Sequence, residues 1–117
     1  MGETISWPPA AAAAEGASLE DARLAATFAA CESAGHSDAI GDSGAACSAL
    51  QLHVEWRRGH TCSELQASRV LALEVWLRAL ASVRDRCGST RAGLGVLAAG
   101  RCNAAPKLVD RRMAGRC

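Results

Sequence analysis

Apolar and polar residues change their order three times along this chain, and each change predicts an element. Residues 1–17 contain Pro8-Pro9 and five consecutive alanines but no apolar face at helical or strand spacing. They read as an N-terminal arm or linker. Ser18-Leu-Glu-Asp21 then supplies a capping serine followed by acids in the first helical turn, where free N–H groups and the helix dipole favour them. Leu19, Ala22, Ala25/Ala26 and Ala29 recur at intervals of three and four, as do Leu24, Phe28 and Cys31. A helix over Leu19–Ser33 is predicted.

That periodicity fails between Ala34 and His53. Gly35, Gly41 and Gly44 alternate there with Ser37, Asp38, Asp42 and Ser43, which predicts an ordered loop or a short β excursion. Helical spacing then returns. Ser63 with Gln66 reads as a capping box, opening a second helix whose stripe is Val70, Leu73, Trp76/Leu77, Leu80 and Val83. Glu74 and Arg78 sit four apart on its flank, and Cys87-Gly88 supplies a glycine stop. Thr90–Ala99 reads as a third helix and Ala104–Met113 as a fourth. The expected class is mostly α, a small helical domain over residues 18–117 with a Gly-rich loop or β excursion after the first helix.

Composition changes this picture in one respect. Of the 117 residues, 26 are alanine and only four are aromatic, so the core removes little apolar area from water for its length. The six cysteines stand at gaps of 16, 15, 25, 15 and 15 residues. No close Cys pair of the zinc-binding kind occurs, and the spread reads as three disulfides of unspecified pairing, with six reduced buried thiols as the alternative. Disulfides imply an oxidising setting: extracellular, periplasmic or virion-associated. The first residues carry Glu3 and no basic, leucine-rich leader, so export is expected by another route or after removal of a leader. No apolar run reaches the ~20 residues of a membrane span.

Charge is balanced overall at +1 but uneven: from Arg84 onward seven arginines and one lysine face only Asp85 and Asp110. That third of the chain suits an anionic surface, or forms an ordinary solvated helical face.

The stretch with chemical content runs from Cys31 to Gln51. Glu32 ends an alanine- and leucine-rich helix, where desolvation and the negative end of the helix dipole both favour the protonated acid. Glycosidic cleavage requires such a group of its general acid. Around Glu32 the order is Glu32-Ser33, Ala39, Gly41-Asp-Ser-Gly44 and Gln51. This order resembles the catalytic segment of soluble lytic transglycosylases and related bacterial and phage lysozyme-like domains, over roughly Leu19 to Gly100.

The resemblance implies an α+β lysozyme-like fold that cuts the bond between N-acetylmuramic acid and N-acetylglucosamine in peptidoglycan. By position Glu32 would be the acid/base, Ser33 its polar neighbour, Gly41–Gly44 a lip of the saccharide groove, and Gln51 a groove residue. No cofactor or metal and no nucleic acid is implied; the partners are peptidoglycan glycan strands or other proteins of a virion or secretion apparatus. Two positions depart from the family: Ser48-Ala49 stand where Gly-Leu is usual, and Leu97 stands where a tyrosine would line the catalytic centre. These departures favour a second reading, an inactive structural or wall-binding relative. A third is a helical protein binding an anionic partner through the arginine-rich end.

Several residues border this segment. Asp42 and Asp38 are candidate second carboxylates for a hydrolytic variant, or plain turn-forming aspartates. His53 would border the groove. Trp56, followed by Arg57 and Arg58, is a candidate sugar-stacking platform or a half-buried anchor. Trp76 lies on the core stripe and reads as packing. His36, His60 and Cys62 match no common metal-ligand spacing.

Overall fold

The computed structural model describes residues 18–33, 36, 40, 41, 46–48 and 50–117; the arm expected over residues 1–17 lies outside them. Among the described residues the chain runs α1 (Leu19–Ser33), β1 (Ile40–Gly41), β2 (Ala46–Cys47), β3 (Leu52–His53), a 3-10 turn (Val54–Trp56), α2 (Cys62–Ala67), α3 (Arg69–Cys87), α4 (Thr90–Ala99) and α5 (Pro106–Met113). The class is therefore mostly helical, with a small β excursion after the first helix. All six cysteines are disulfide-bonded and none is free, so the reduced-thiol alternative falls, and the bonds fit an extracellular-type protein. Among the described residues no helix is long and apolar enough to cross a membrane. Two compact units result, residues 1–77 and 78–117, divided within α3.

In the N-terminal unit α1 begins and ends where the pattern predicts. The Asp21 N–H donates to the Ser18 hydroxyl (3.1 Å) and the Ala22 N–H to the Ser18 carbonyl (3.0 Å). The helix buries Ala22, Leu24, Ala25, Phe28 and Ala29. Leu19, expected on the apolar stripe, opens the first turn and is instead 52% exposed. Phe28 packs against Trp76 with ring centroids 5.5 Å apart and planes tilted by 47°, and Trp76 is buried as expected.

The sheet is antiparallel in the order β1-β2-β3, pairing Ile40 with Cys47, Gly41 with Ala46, Ala46 with His53 and Cys47 with Leu52. Strands of two residues form too few ladder bonds to stand alone. The Cys47–Cys62 disulfide ties the buried central strand to the start of α2.

The second predicted helix needs three corrections. Its cap is Thr61 with Glu64, not Ser63 with Gln66: the Glu64 N–H donates to the Thr61 hydroxyl (3.1 Å), and the Thr61 N–H to Glu64 Oε1 (2.7 Å). A carboxylate accepts more strongly than an amide and is favoured by the dipole of the first turn. Next, the helix divides at Ser68, whose extended backbone (φ −140°, ψ 111°) ends α2. Its hydroxyl accepts the Leu71 N–H (3.1 Å) and so caps α3. Finally, Val70 is 49% exposed. The buried face of α3 is centred on Ala72, Val75, Trp76, Ala79, Leu80 and Val83, and at 100° per residue Val70 lies ~140° from that centre.

The C-terminal unit is all helix. Gly88 (φ +89°) terminates α3, its N–H donating to the Arg84 carbonyl (2.9 Å). Ser89 caps α4 by accepting the Ala92 N–H (3.1 Å). Bare backbone packs closely beside α4. A Cβ at Gly95 would stand 2.5 Å from the Ala104 nitrogen and 2.8 Å from that of Asn103. The Asn103 N–H donates to the Ala92 carbonyl (3.0 Å), and the Cys87–Cys102 disulfide closes the same segment. α5 starts at Pro106, two residues later than expected, because Ala105 takes a left-handed conformation (φ 46°). Proline suits the first helical position, where its missing N–H would be unpaired in any case.

Candidate active site

Glu32 and Ser33 occupy the last turn of α1, half-buried, in a turn without basic residues. Ser33 returns its hydroxyl to the Ala29 carbonyl (3.0 Å), a bond within the helix that fixes the rotamer beside Glu32. The carboxyl group is thus carried on a regular helix rather than on a loop. α1 owes that regularity to alanine, which loses no side-chain entropy in a helix.

The next group comes from the sheet. Gln51 has a left-handed backbone (φ 50°), and its side-chain oxygen fills the space that a Cβ would take at Gly41. The side-chain amide donates to the Ser48 carbonyl (2.8 Å), which also accepts the Gln51 N–H (3.1 Å). Gly41 and Gln51, ten residues apart in the motif, are therefore in contact. Any side chain at position 41 would displace the glutamine. Sequence reasoning took Gly41 for a turn glycine; its structural duty is to admit Gln51.

Ser48, noted in the sequence only as a departure from the resembled family, has a structural peculiarity that the sequence reading did not draw out. It is fully buried with φ 75°. Its hydroxyl has no hydrogen-bond partner among the described residues. The signal was present: the resembled family usually has glycine here, and a positive φ is the physical reason for one.

His53 is half-buried at the end of β3 and extended (φ −75°, ψ 160°). Trp56 ends the 3-10 turn, half-buried. Arg57 folds back to donate from Nε to the Leu52 carbonyl (3.0 Å), whereas Arg58 is exposed with φ 54°. Asp42 and Asp38 lie outside the described residues. Leu97 is half-buried on α4 and offers only hydrocarbon where a tyrosine was expected.

The conceivable histidine–cysteine cluster does not form as a thiolate site, because Cys62 is bonded to Cys47. His60 Nδ1 stands instead 3.7 Å from Glu64 Oε1. The Thr61 N–H on the Glu64 carboxylate, with His60 beside it, holds that carboxyl below its ordinary value. Among the described residues no group of three or more His, Cys, Asp or Glu side chains could hold a metal ion.

The first helix ends on a half-buried carboxyl group, and the segment that follows holds a glycine and a glutamine that interlock. One carboxyl can donate a proton to a leaving oxygen and take one back. Compared with family models, curated proteins and solved structures, the chain matches none.

Proposed function

We propose that this chain cleaves the glycosidic bond between N-acetylmuramic acid and N-acetylglucosamine in peptidoglycan, with Glu32 as its single acid/base. The observation that carries the reading is the contact between Gly41 and Gln51. These are two spaced positions of the resembled motif, and their contact gives the motif spacing a physical purpose. The position of Glu32 in the last turn of the helix just before that sheet supports the same reading.

In the proposed reaction the Glu32 carboxyl protonates the bridging oxygen as the bond from that oxygen to the anomeric carbon breaks. The sugar's own 6-hydroxyl then attacks the anomeric carbon, and its proton returns to the Glu32 carboxylate. The products are a 1,6-anhydro sugar and a free 4-hydroxyl, with no water consumed. A hydrolytic variant would recruit a second carboxylate for water, for which Asp42 and Asp38 are the candidates. Ser33, Gln51, His53 and Trp56 would bind the glycan. The reading places the protein in an oxidising compartment bordering the wall, or in a virion.

One observation favours an inactive wall-binding or structural relative in a virion or secretion apparatus: Leu97 supplies no hydroxyl. Digestion of purified peptidoglycan by wild type and Glu32→Gln, with soluble fragments identified by mass, decides between them. Anhydro-muropeptides from wild type, falling by about 10²–10⁴-fold in the variant, are expected. Reducing-end products would shift the reaction to hydrolysis. No products from either protein, at neutral and mildly acidic pH, would overturn the enzymatic reading.

A further inference from the structure

Charge divides along the same line as the fold. Residues 78–117 carry eight arginines and Lys107 against Asp85 and Asp110, a net +7, while residues 1–77 carry four arginines against ten acids, a net −6. A net charge near neutrality thus conceals two units of opposite sign.

Within the C-terminal unit the acid on α5 is already engaged. Arg91 grips Asp110 through two bonds, Nε to Oδ1 at 2.7 Å and an amino nitrogen to Oδ2 at 3.0 Å. Besides the half-buried Arg112, three exposed cations gather about α5. Lys107 and Arg111 stand four apart on one helix face, where like charges repel. The chain then turns back so that the Arg116 N–H donates to the Arg111 carbonyl (2.7 Å) and Arg111 Nε to the Cys117 carbonyl (3.3 Å). All three side chains are exposed, and none pairs with an Asp or Glu side chain among the described residues.

We propose that Lys107, Arg111 and Arg116 form a docking surface for the carboxylates on the stem peptides of peptidoglycan. The inference rests on the reading above, and one polymer then supplies both contacts: glycan to the acid/base unit, stem-peptide carboxylates to the cationic unit. A guanidinium fork matches carboxylate geometry, as Arg91 on Asp110 demonstrates in this same unit. Nucleic acid fits less well. Residues 78–117 contain no aromatic side chain on which bases could stack. The net charge of −6 on the other unit also opposes a dense polyanion such as duplex DNA.

The test is co-sedimentation of the full chain with insoluble walls, native or with their carboxylates capped as neutral amides, across a salt series. Binding should fall with salt and with capping. K107Q/R111Q/R116Q should bind native walls about tenfold more weakly, through loss of three exposed ion pairs, while still cutting soluble, uncharged glycan strands. K107R/R111K/R116K should restore binding, and circular dichroism should find both variants folded. Glu32→Gln should bind like wild type and cut nothing. A wild type that binds native walls but cuts no glycan would sink the enzymatic reading and leave this surface standing. Binding unchanged by capping or by the glutamine variant, or tighter to duplex DNA than to walls at equal salt, would overturn it.

Discussion

The two units solve the same problem, a shortage of large apolar side chains, by different means. All four aromatic residues and all three histidines fall in residues 1–77, and none in residues 78–117. The N-terminal unit fills its interior with Phe28 against Trp76 and tolerates left-handed backbone at Ser48, Gln51 and Arg58. The C-terminal unit instead brings backbone against backbone through Gly93 and Gly95, with left-handed residues of its own at Asn103 and Ala105 between its helices. The distinction of the C-terminal unit is its charge.

That contrast is broken most directly at its two anchors. Trp76→Ala should cost about 4 kcal/mol, because a large buried ring leaves a cavity that its neighbours refill only in part. Gly95→Ala should cost about 2 kcal/mol by forcing α4 away from Asn103 and Ala104, since a backbone neighbour cannot rotate aside as a side chain can. Urea titrations check both. A Gly95→Ala variant as stable as wild type would mean that the C-terminal unit does not depend on close backbone packing.

The disulfides permit a cleaner comparison, since Cys47–Cys62 and Cys87–Cys102 both span 15 residues, one in each unit. Loop-closure entropy then assigns the same ~3 kcal/mol to each. Paired Cys→Ala substitutions, followed by thermal unfolding, should give similar losses. A much larger loss at Cys47–Cys62 would show that the two-residue strands need the tether for their native geometry as well as for loop entropy.

Legibility in the sequence follows the same division. Ser18, Ser89 and Gly88 act locally, through their own backbones and hydroxyls, so α1 and α4 were readable to the residue. In the segment from Thr61 to Ser68 the sequence reading took Ser63/Gln66 as the cap, whereas the structure uses Thr61/Glu64 at the same spacing. The stronger acceptor decides between them, a distinction that apolar periodicity does not carry. Val70 misled for a related reason, because spacing marks a stripe while the centre of the buried face depends on the alanines beside it. In the candidate site Glu32 was legible as a helix-ending acid. The interlock of Gly41 with Gln51 was not, since it depends on two left-handed turns that place a side chain across a strand.

Ser48 tests how much strain that interlock imposes. Ser48→Gly removes both a left-handed non-glycine residue and a buried hydroxyl lacking a partner, offset by the greater freedom of glycine in the unfolded chain. A net gain of about 1 kcal/mol in unfolding free energy is expected, with the proposed peptidoglycan cleavage unchanged. If stability falls instead, the hydroxyl has a role that its geometry does not reveal.

The smallest effects concern one exposed acid in each unit. The Asp110 carboxyl is held below its ordinary value by the Arg91 guanidinium, whose own value is raised in return. Glu64 is held down chiefly by the Thr61 backbone N–H. For an acid whose folded value is depressed, the stabilisation is present above the unfolded carboxylate range, roughly pH 4. It is lost as pH falls through the folded value. Asp110→Asn and Glu64→Gln should therefore each flatten the decline of melting temperature below about pH 5. Salt separates the two, since an exposed ion pair is screened and a hydrogen bond to backbone much less so. The Asp110→Asn difference should shrink in high salt while the Glu64→Gln difference persists. Equal shrinkage would place Glu64 under the charge of His60 rather than the cap, and the acidic unit would then be governed by charge as the basic one is.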